Sequence, residues 1–248
     1  NNNIKRKLWD TLKSIEAVEK WAQKKEELEK KIKKNKYLME QISKARSISI
    51  WIFIVPFVAI NTCLILITQF QDIFPNKEDL IHNTIPYFDG GASISRTARP
   101  YPSWLIFKPS MFLTSFFLIK YWLYNKKIIN FFSINHKNLN KIIFFGIASA
   151  IALTIHSIFL GIKFDNDLYK LFRRIVMLSF IIFEIVAQAY LVVTFYSLRN
   201  KLINYINPLM LKLKLILVST LIIVAIISIP IISLPGDNFL GFNLKFFK

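Results

Sequence analysis

The chain has 248 residues, of which 54% are hydrophobic and 15% aromatic; it carries a formal net charge of +18 and contains one cysteine. An average soluble domain does not combine that apolar content with 19% charged residues sorted into separate blocks. A single cysteine excludes an intramolecular disulfide and a cysteine-based zinc site. Basic residues divided among apolar segments, with no recognition motif beside them, argue against a nucleic-acid partner.

Residues 1–46 hold fourteen Lys or Arg against seven Asp or Glu. Within them Ile4, Leu8, Leu12 and Ile15, then Leu28, Ile32, Met39 and Ile42, recur at helical spacing, so a long basic amphipathic helix, broken at most once, is expected. Glu26/Lys30, Glu27/Lys31 and Glu29/Lys33 stand i,i+4 apart in the favourable order, each pair contributing about 0.3 kcal/mol. Two roles stay open for this arm: a helix laid on a neighbour or on the bilayer surface, or a coiled-coil docking arm for a partner membrane protein.

From Ser47 to Gln71 there is no charged side chain, which at a helical rise covers the ~30 Å hydrocarbon core. Five spans follow from such runs, at about 48–70, 104–124, 142–162, 175–198 and 215–234. Pro56 lies within the first, and Asn61 and Thr62 near its outer half are placed to hydrogen-bond across to another helix. In the second, Lys108 and Lys120 stand near opposite ends, where lysines snorkel to the interfaces, with Trp104, Tyr121, Trp122 and Tyr124 as interfacial aromatics. The tail after Pro235 is short, aromatic and basic and reads as the approach to a sixth span. The fold class expected is therefore all-α: a polytopic transmembrane helical bundle (47–248) preceded by an amphipathic N-terminal helix (1–46).

Lys126, Lys127, Lys137 and Lys141 follow the second span, and Arg199, Lys201, Lys212 and Lys214 follow the fourth. By the positive-inside rule these loops and the N-terminal arm face the cytoplasm. The external loop 72–103 is then on the opposite side, and membrane lipids are the first partners implied by the positive charge.

That loop holds Asp89, Arg96 and Arg99 together with Gly90, Gly91, Pro86, Pro100 and Pro102, a composition that shapes backbone. Arg96 and Arg99 are candidate holders of a lipid head group or other anion, because a guanidinium offers a planar fork of donors, and Asp89 is placed to steady one of them. A self-closed cap tied by Asp89 and an arginine uses the same residues.

Two ionisable groups fall well inside spans, His156 and Glu184, with Gln188 on the face of Glu184 at i+4. Each must face other helices, a cavity or a partner. Glu184 reads either as a hydrogen-bonded pin between helices or as a group that binds a head group or moves a proton or ion; His156 has the same two readings. No Gly-rich phosphate loop, HExxH or GxSxG motif occurs, and His82, His136 and His156 fall at different sides or depths. No catalytic residue, cofactor or metal is assigned.

The loop order Pro86-Tyr87, Gly91, Ser95, Pro102 and then Ile106-Phe107 at the mouth of the second span resembles the damage-regulated autophagy modulator family. That family also takes in GPI-anchor remodelling and fibroblast-growth-factor-receptor-activating membrane proteins. The resemblance implies about six spans with both ends cytoplasmic, a link to lipid handling or trafficking, and no catalytic residues. It departs from the family in showing five spans, in the SISRTAR wording of the loop and in the long basic arm. The function expected is that of a non-catalytic integral membrane protein contacting lipid or a partner through its external loop, with a role in lipid organisation or trafficking. A small transporter or membrane enzyme using Glu184 and His156 is one alternative. An accessory subunit docked by the N-terminal helix is the other.

Overall fold

A computed structural model describes residues 2–76, 97–134, 136–162 and 166–233, with side chains described at 13 and from 18 onward except at 170 and 228–233. Among the described residues the structure is helical, with no strand. Its elements are α1 (Asn2–Gln69), a 3-10 turn (Gln71–Ile73), α2 (Ser103–Phe132), α3 (Leu139–Phe159), α4 (Asp167–Ser197), the short α5 (Arg199–Leu202) and α6 (Pro208–Ser233).

The basic arm and the first apolar run are one helix. α1 continues for 68 residues, about 100 Å, without the break allowed for in the arm and without interruption at 46/47; Pro56 lies inside it. Elsewhere the helices extend past the apolar runs that mark them in the sequence. α2 continues eight residues beyond 124 through Lys126 and Lys127, and α4 starts at Asp167. Charged side chains at helix ends reach water without ending the helix, so hydropathy alone sets these boundaries too short. Asn166 caps α4 by accepting from the Leu168 amide at 3.0 Å, and Asn207 caps α6 by accepting from the Leu209 amide at 2.9 Å, with Pro208 at the first helical position.

α1 packs on α2, α2 on α3, α3 on α4 and α4 on α6. At one end of the first pair the Cys63 thiol donates to the Ser103 carbonyl at 3.4 Å, and at the other the Lys34 ammonium lies 5.0 Å from the Phe131 ring. Residues 34–63 of α1 therefore run antiparallel to 103–131 of α2. The arm's packed face carries Leu38 (1% exposed), Gln41 and Ala45, whereas Met39 is 53% exposed and Leu28 and Ile32 are exposed as well. Of the stripe read through Leu28, Ile32, Met39 and Ile42, Ile42 packs against the core and the other three face away from it. Choosing between Leu38 and Met39 requires knowing where the partner helix lies, which periodicity does not supply.

Trp122 is fully buried against Gly146, and the Ser115 hydroxyl donates to the Ala150 carbonyl, joining α2 to α3. Phe145 stacks on Tyr190, and Phe159 meets Tyr169 and Phe172, joining α3 to α4. These contacts make α1 to α4 successively antiparallel. One end of the assembly gathers residues 34–46, the end of α2, the start of α3, the end of α4 and the start of α6. There Tyr205 donates to Asn35 Oδ1 at 3.0 Å, and Lys201 donates to the Phe132 carbonyl at 3.3 Å, a cation at a helix C-terminus. The other end gathers the end of α1, the start of α2, the end of α3 and the start of α4.

Among the described residues four helices are long and apolar enough to cross a membrane: α1, α3, α4 and α6. Large apolar side chains project from them into the surroundings, among them Phe53, Phe57, Phe144, Ile182 and Ile226, each more than half exposed. A water-soluble chain does not leave surface of that kind uncovered, whereas hydrocarbon solvates it. The molecule is an integral membrane protein by this criterion.

Candidate functional site

Among the described residues two places bring candidate residues together: a polar node between α2, α3 and α4, and a hollow where α1 and α3 end and α2 begins.

The node is built around Glu184. Ser149 Oγ donates to one carboxylate oxygen at 2.7 Å and Gln188 Nε2 to the other at 2.9 Å. Gln188 is there because it stands one turn along α4, as its spacing predicts. Ser149 is there because the small residues Gly146, Ser149 and Ala150 let α3 approach closely. The Trp122 indole nitrogen and the Lys214 ammonium act on the same carboxylate from α2 and α6, the indole without completing a hydrogen bond of good geometry. Lys214 in turn donates to the Tyr121 hydroxyl at 3.1 Å. Four helices thus converge on one carboxylate, and each of its oxygens accepts from a neutral donor.

His156 does not belong to this node. Ser149 precedes it by seven residues on α3, about 10 Å along the axis. Its charged neighbour is Arg173, eleven residues before Glu184 on α4. Its Nδ1 is buried with no hydrogen-bond partner among the described residues. Asn61 and Thr62 donate to Phe57 and Val58 carbonyls of their own helix at 2.7 and 2.8 Å, so the hydroxyl of Thr62 is used within α1 and not as a tie to a neighbour. Among the described residues no three His, Cys, Asp or Glu side chains gather as a metal site.

The hollow at the other end has a volume of about 360 Å³ and is lined by Asn76, Arg99, Tyr101, Trp104 and Lys108 together with the turn Leu160–Ile162. Arg99 comes from the loop and is the one of the three loop candidates that the structure places; Asp89 and Arg96 lie outside the described residues. Lys108 joins it from the first turns of α2. Its ammonium sits 5.3 Å from the Trp104 ring and donates to the Ile158 carbonyl at 3.3 Å, near the C-terminus of α3. The wall behind Arg99 needs a glycine: Gly161 has φ +89, and a Cβ there would stand 3.4 Å from the Arg99 carbonyl oxygen. From sequence, Lys108 reads only as an interfacial lysine; its place nine residues after Arg99, across a helix start, is the signal that pairs the two.

Of the residues carrying the loop resemblance, Pro86, Tyr87, Gly91 and Ser95 lie outside the described residues, while Phe107 is buried in the core that α1, α2 and α3 share. No family model, curated protein or solved structure matches this chain.

Proposed function

We propose that the protein is a non-catalytic, five-span membrane protein that holds anionic head groups, or an acidic group of a partner, at the hollow formed by Arg99 and Lys108. The observation that carries this reading is the convergence of two cations from different segments on one hollow with an aromatic wall. Phosphate and carboxylate match the guanidinium fork, Lys108 adds a point charge, and Tyr101 and Trp104 are the side chains that favour a membrane–water boundary.

The fifth span is α2. Its mean hydropathy is diluted by Lys108, Lys120 and its Ser and Thr residues, yet it lies antiparallel against the apolar part of α1 over the same depth. Thr114 and Ser115 are buried with Met111, Leu118 and Trp122, so these two hydroxyls face helices, while Lys120 is exposed. With α2 counted, the lysine-rich end faces the cytoplasm and the Arg99 hollow faces outward or a lumen. Lipid organisation or trafficking, as the loop resemblance implies, fits such a molecule.

A transporter or enzyme using Glu184 and His156 is less well supported, because the two groups stand on separate stretches of α3 and α4 with different neighbours. Glu184 serves as the packing pin.

The test is the melting temperature of the purified full chain with added anionic phospholipid. Arg99→Lys and Lys108→Gln should each lose at least half of the lipid-induced rise seen in wild type, while Glu184→Gln keeps it. An unchanged rise in both cation variants would refute the head-group reading.

A further inference from the structure

The helix that enters the membrane after Ser47 runs back unbroken to Asn2, and its packing on α2 begins only at Lys34. Residues 2–55 contain no Pro or Gly to kink it, so the arm leaves the bilayer at the angle of the span and does not turn to lie along the surface. At a helical rise Ile32 stands roughly 20 Å and Val18 roughly 40 Å beyond Ser47, past a head-group layer that adds only about 5–8 Å to the hydrocarbon core. The arm therefore projects into water.

Every side chain from 18 to 34 is exposed. Val18, Trp21, Leu28, Ile32 and Met39 are each more than half exposed, and they occupy the a and d positions of a heptad whose remaining members are Lys25 and Asn35. The buried residues of α1, Leu38, Gln41, Ala45, Ala59, Cys63 and Ile67, lie on the other side of the helix, so this stripe points away from α2. Ile50, Phe53 and Phe57, also more than half exposed, continue it into the membrane, with Ser43 and Arg46 as the interruption at the boundary.

The bundle does not cover the stripe, and lipid cannot reach its outer part. A second copy of this chain fits it. Copies inserted in one membrane carry α1 in the same direction and at the same depth, so two such faces meet parallel and in register about an axis along the membrane normal. α1 packs extensively on α2 only, which leaves its outward face at the edge of the helix array. The apolar side chains of the stripe offer on the order of 800 Å² per copy, about what one side of a stable complex buries. On the flanks Lys24 would meet the second copy's Glu29 and Lys31 its Lys36, so charge neither drives nor forbids the pairing. Lys25, over the Trp21 ring at 5.5 Å, is the one cation within the heptad stripe; a single such residue at an a position weakens a coiled coil while fixing its register.

We propose that the protein is a parallel, two-fold dimer held by an α1–α1 coiled coil from Val18 to Met39, with Ile50, Phe53 and Phe57 of the two copies facing each other within the membrane. The pairing is independent of the Arg99 hollow, which lies at the far end of α1.

The experiment measures the mass of the full chain in a mild neutral detergent, by light scattering and sedimentation, over a range of protein concentrations. Wild type should contain two copies, and Leu28→Glu/Ile32→Glu one. The melting temperature should be the same in both, because an arm outside the bundle pairs whether or not the bundle is folded. Lys20→Gln/Glu27→Gln, on the opposite face of the same stretch, should stay dimeric. Lys25→Leu removes the like charges from the seam and should lower the dissociation constant about tenfold. In native membranes, oxidation should link Leu28→Cys to a second copy, in a Cys63→Ala background, and leave Glu27→Cys unlinked. The proposal is overturned by a monomeric wild type, by a dimer that survives the paired glutamates or is lost in Lys20→Gln/Glu27→Gln, or by a Lys25→Leu variant that associates no more tightly. It is equally overturned if Leu28→Cys links no better than Glu27→Cys, or links only to a different protein, which would give the stripe to another partner.

Discussion

The Trp122 indole lies directly on Gly146, so that a Cβ built on this glycine would fall well inside 3.0 Å of the ring atoms. The contact locks α2 onto α3 one turn from the Glu184 node. Alanine at 146 improves helix propensity by about 1 kcal/mol but must displace a fully buried ring, and overpacking of that kind costs about 1–3 kcal/mol. Gly146→Ala is expected to lower the melting temperature, with part of the loss recovered in Gly146→Ala/Trp122→Phe. Thermal unfolding in detergent with all three proteins reads this directly. A gain of stability in the single variant would mean that the ring moves aside freely.

At the node, Glu184→Gln retains one acceptor and one donor, and Ser149 can reverse its hydroxyl. It should stay within about 1 kcal/mol of wild type, while Glu184→Leu leaves Ser149 and Gln188 facing an apolar group and costs about 1–3 kcal/mol. Equilibrium unfolding with a denaturing detergent gives both values. If Leu proves as stable as Gln, the node does not pin the helices.

Much of this architecture is legible from residues alone. The uncharged run after Arg46 and the i,i+4 pair Glu184/Gln188 each announce their place through spacing. What spacing cannot give is which side of a helix its neighbour takes. Leu38 and Met39 are equally apolar, Ser149 is one small polar residue among several, and Lys108 looks like any interfacial lysine. These assignments depend on pairing between distant segments, which sets the buried face of α1, brings Ser149 to Glu184 and places Lys108 beside Arg99.

The face of α1 that packs on α2 also decides where the arm can be cut. Removing residues 2–30 should leave the melting temperature unchanged, because the described side chains there are exposed. Removing residues 2–46 takes away Leu38, Ala45 and the Asn35–Tyr205 bond and should lower it substantially; Leu38→Ala alone is expected to cost about 2–5 kcal/mol. Paired truncations and the point variant, compared by thermal unfolding, check the boundary. A long truncation that unfolds like wild type would make the whole arm dispensable.

Glu40 and Lys44 give a pH signature on the same helix. The Lys44 ammonium, at 2.6 Å, holds the Glu40 carboxyl below its ordinary value, and Glu40 raises Lys44. A depressed carboxyl contributes stability above its unfolded value and loses that contribution as pH falls through the folded one; a raised ammonium contributes below its unfolded value and loses it as pH rises through the folded one. Glu40→Gln should therefore melt slightly below wild type at pH 7, and the difference should vanish at pH 3. Both groups are solvent-exposed, so a large difference, or one that persists at pH 3, would show that the substitution acts by something other than the ion pair.

The five-span arrangement, with the Arg99 hollow on one side and the lysine-rich end on the other, turns on whether α2 crosses the membrane. The direct measurement is labelling of single cysteines at Lys20, Tyr101 and Lys137 with a membrane-impermeant thiol reagent, in a Cys63→Ala background, before and after permeabilising the cells. The expected result is labelling of Tyr101→Cys in intact cells and of Lys20→Cys and Lys137→Cys only after permeabilisation. Labelling of Tyr101→Cys and Lys137→Cys from the same side would contradict it, leaving α2 outside the set of membrane spans.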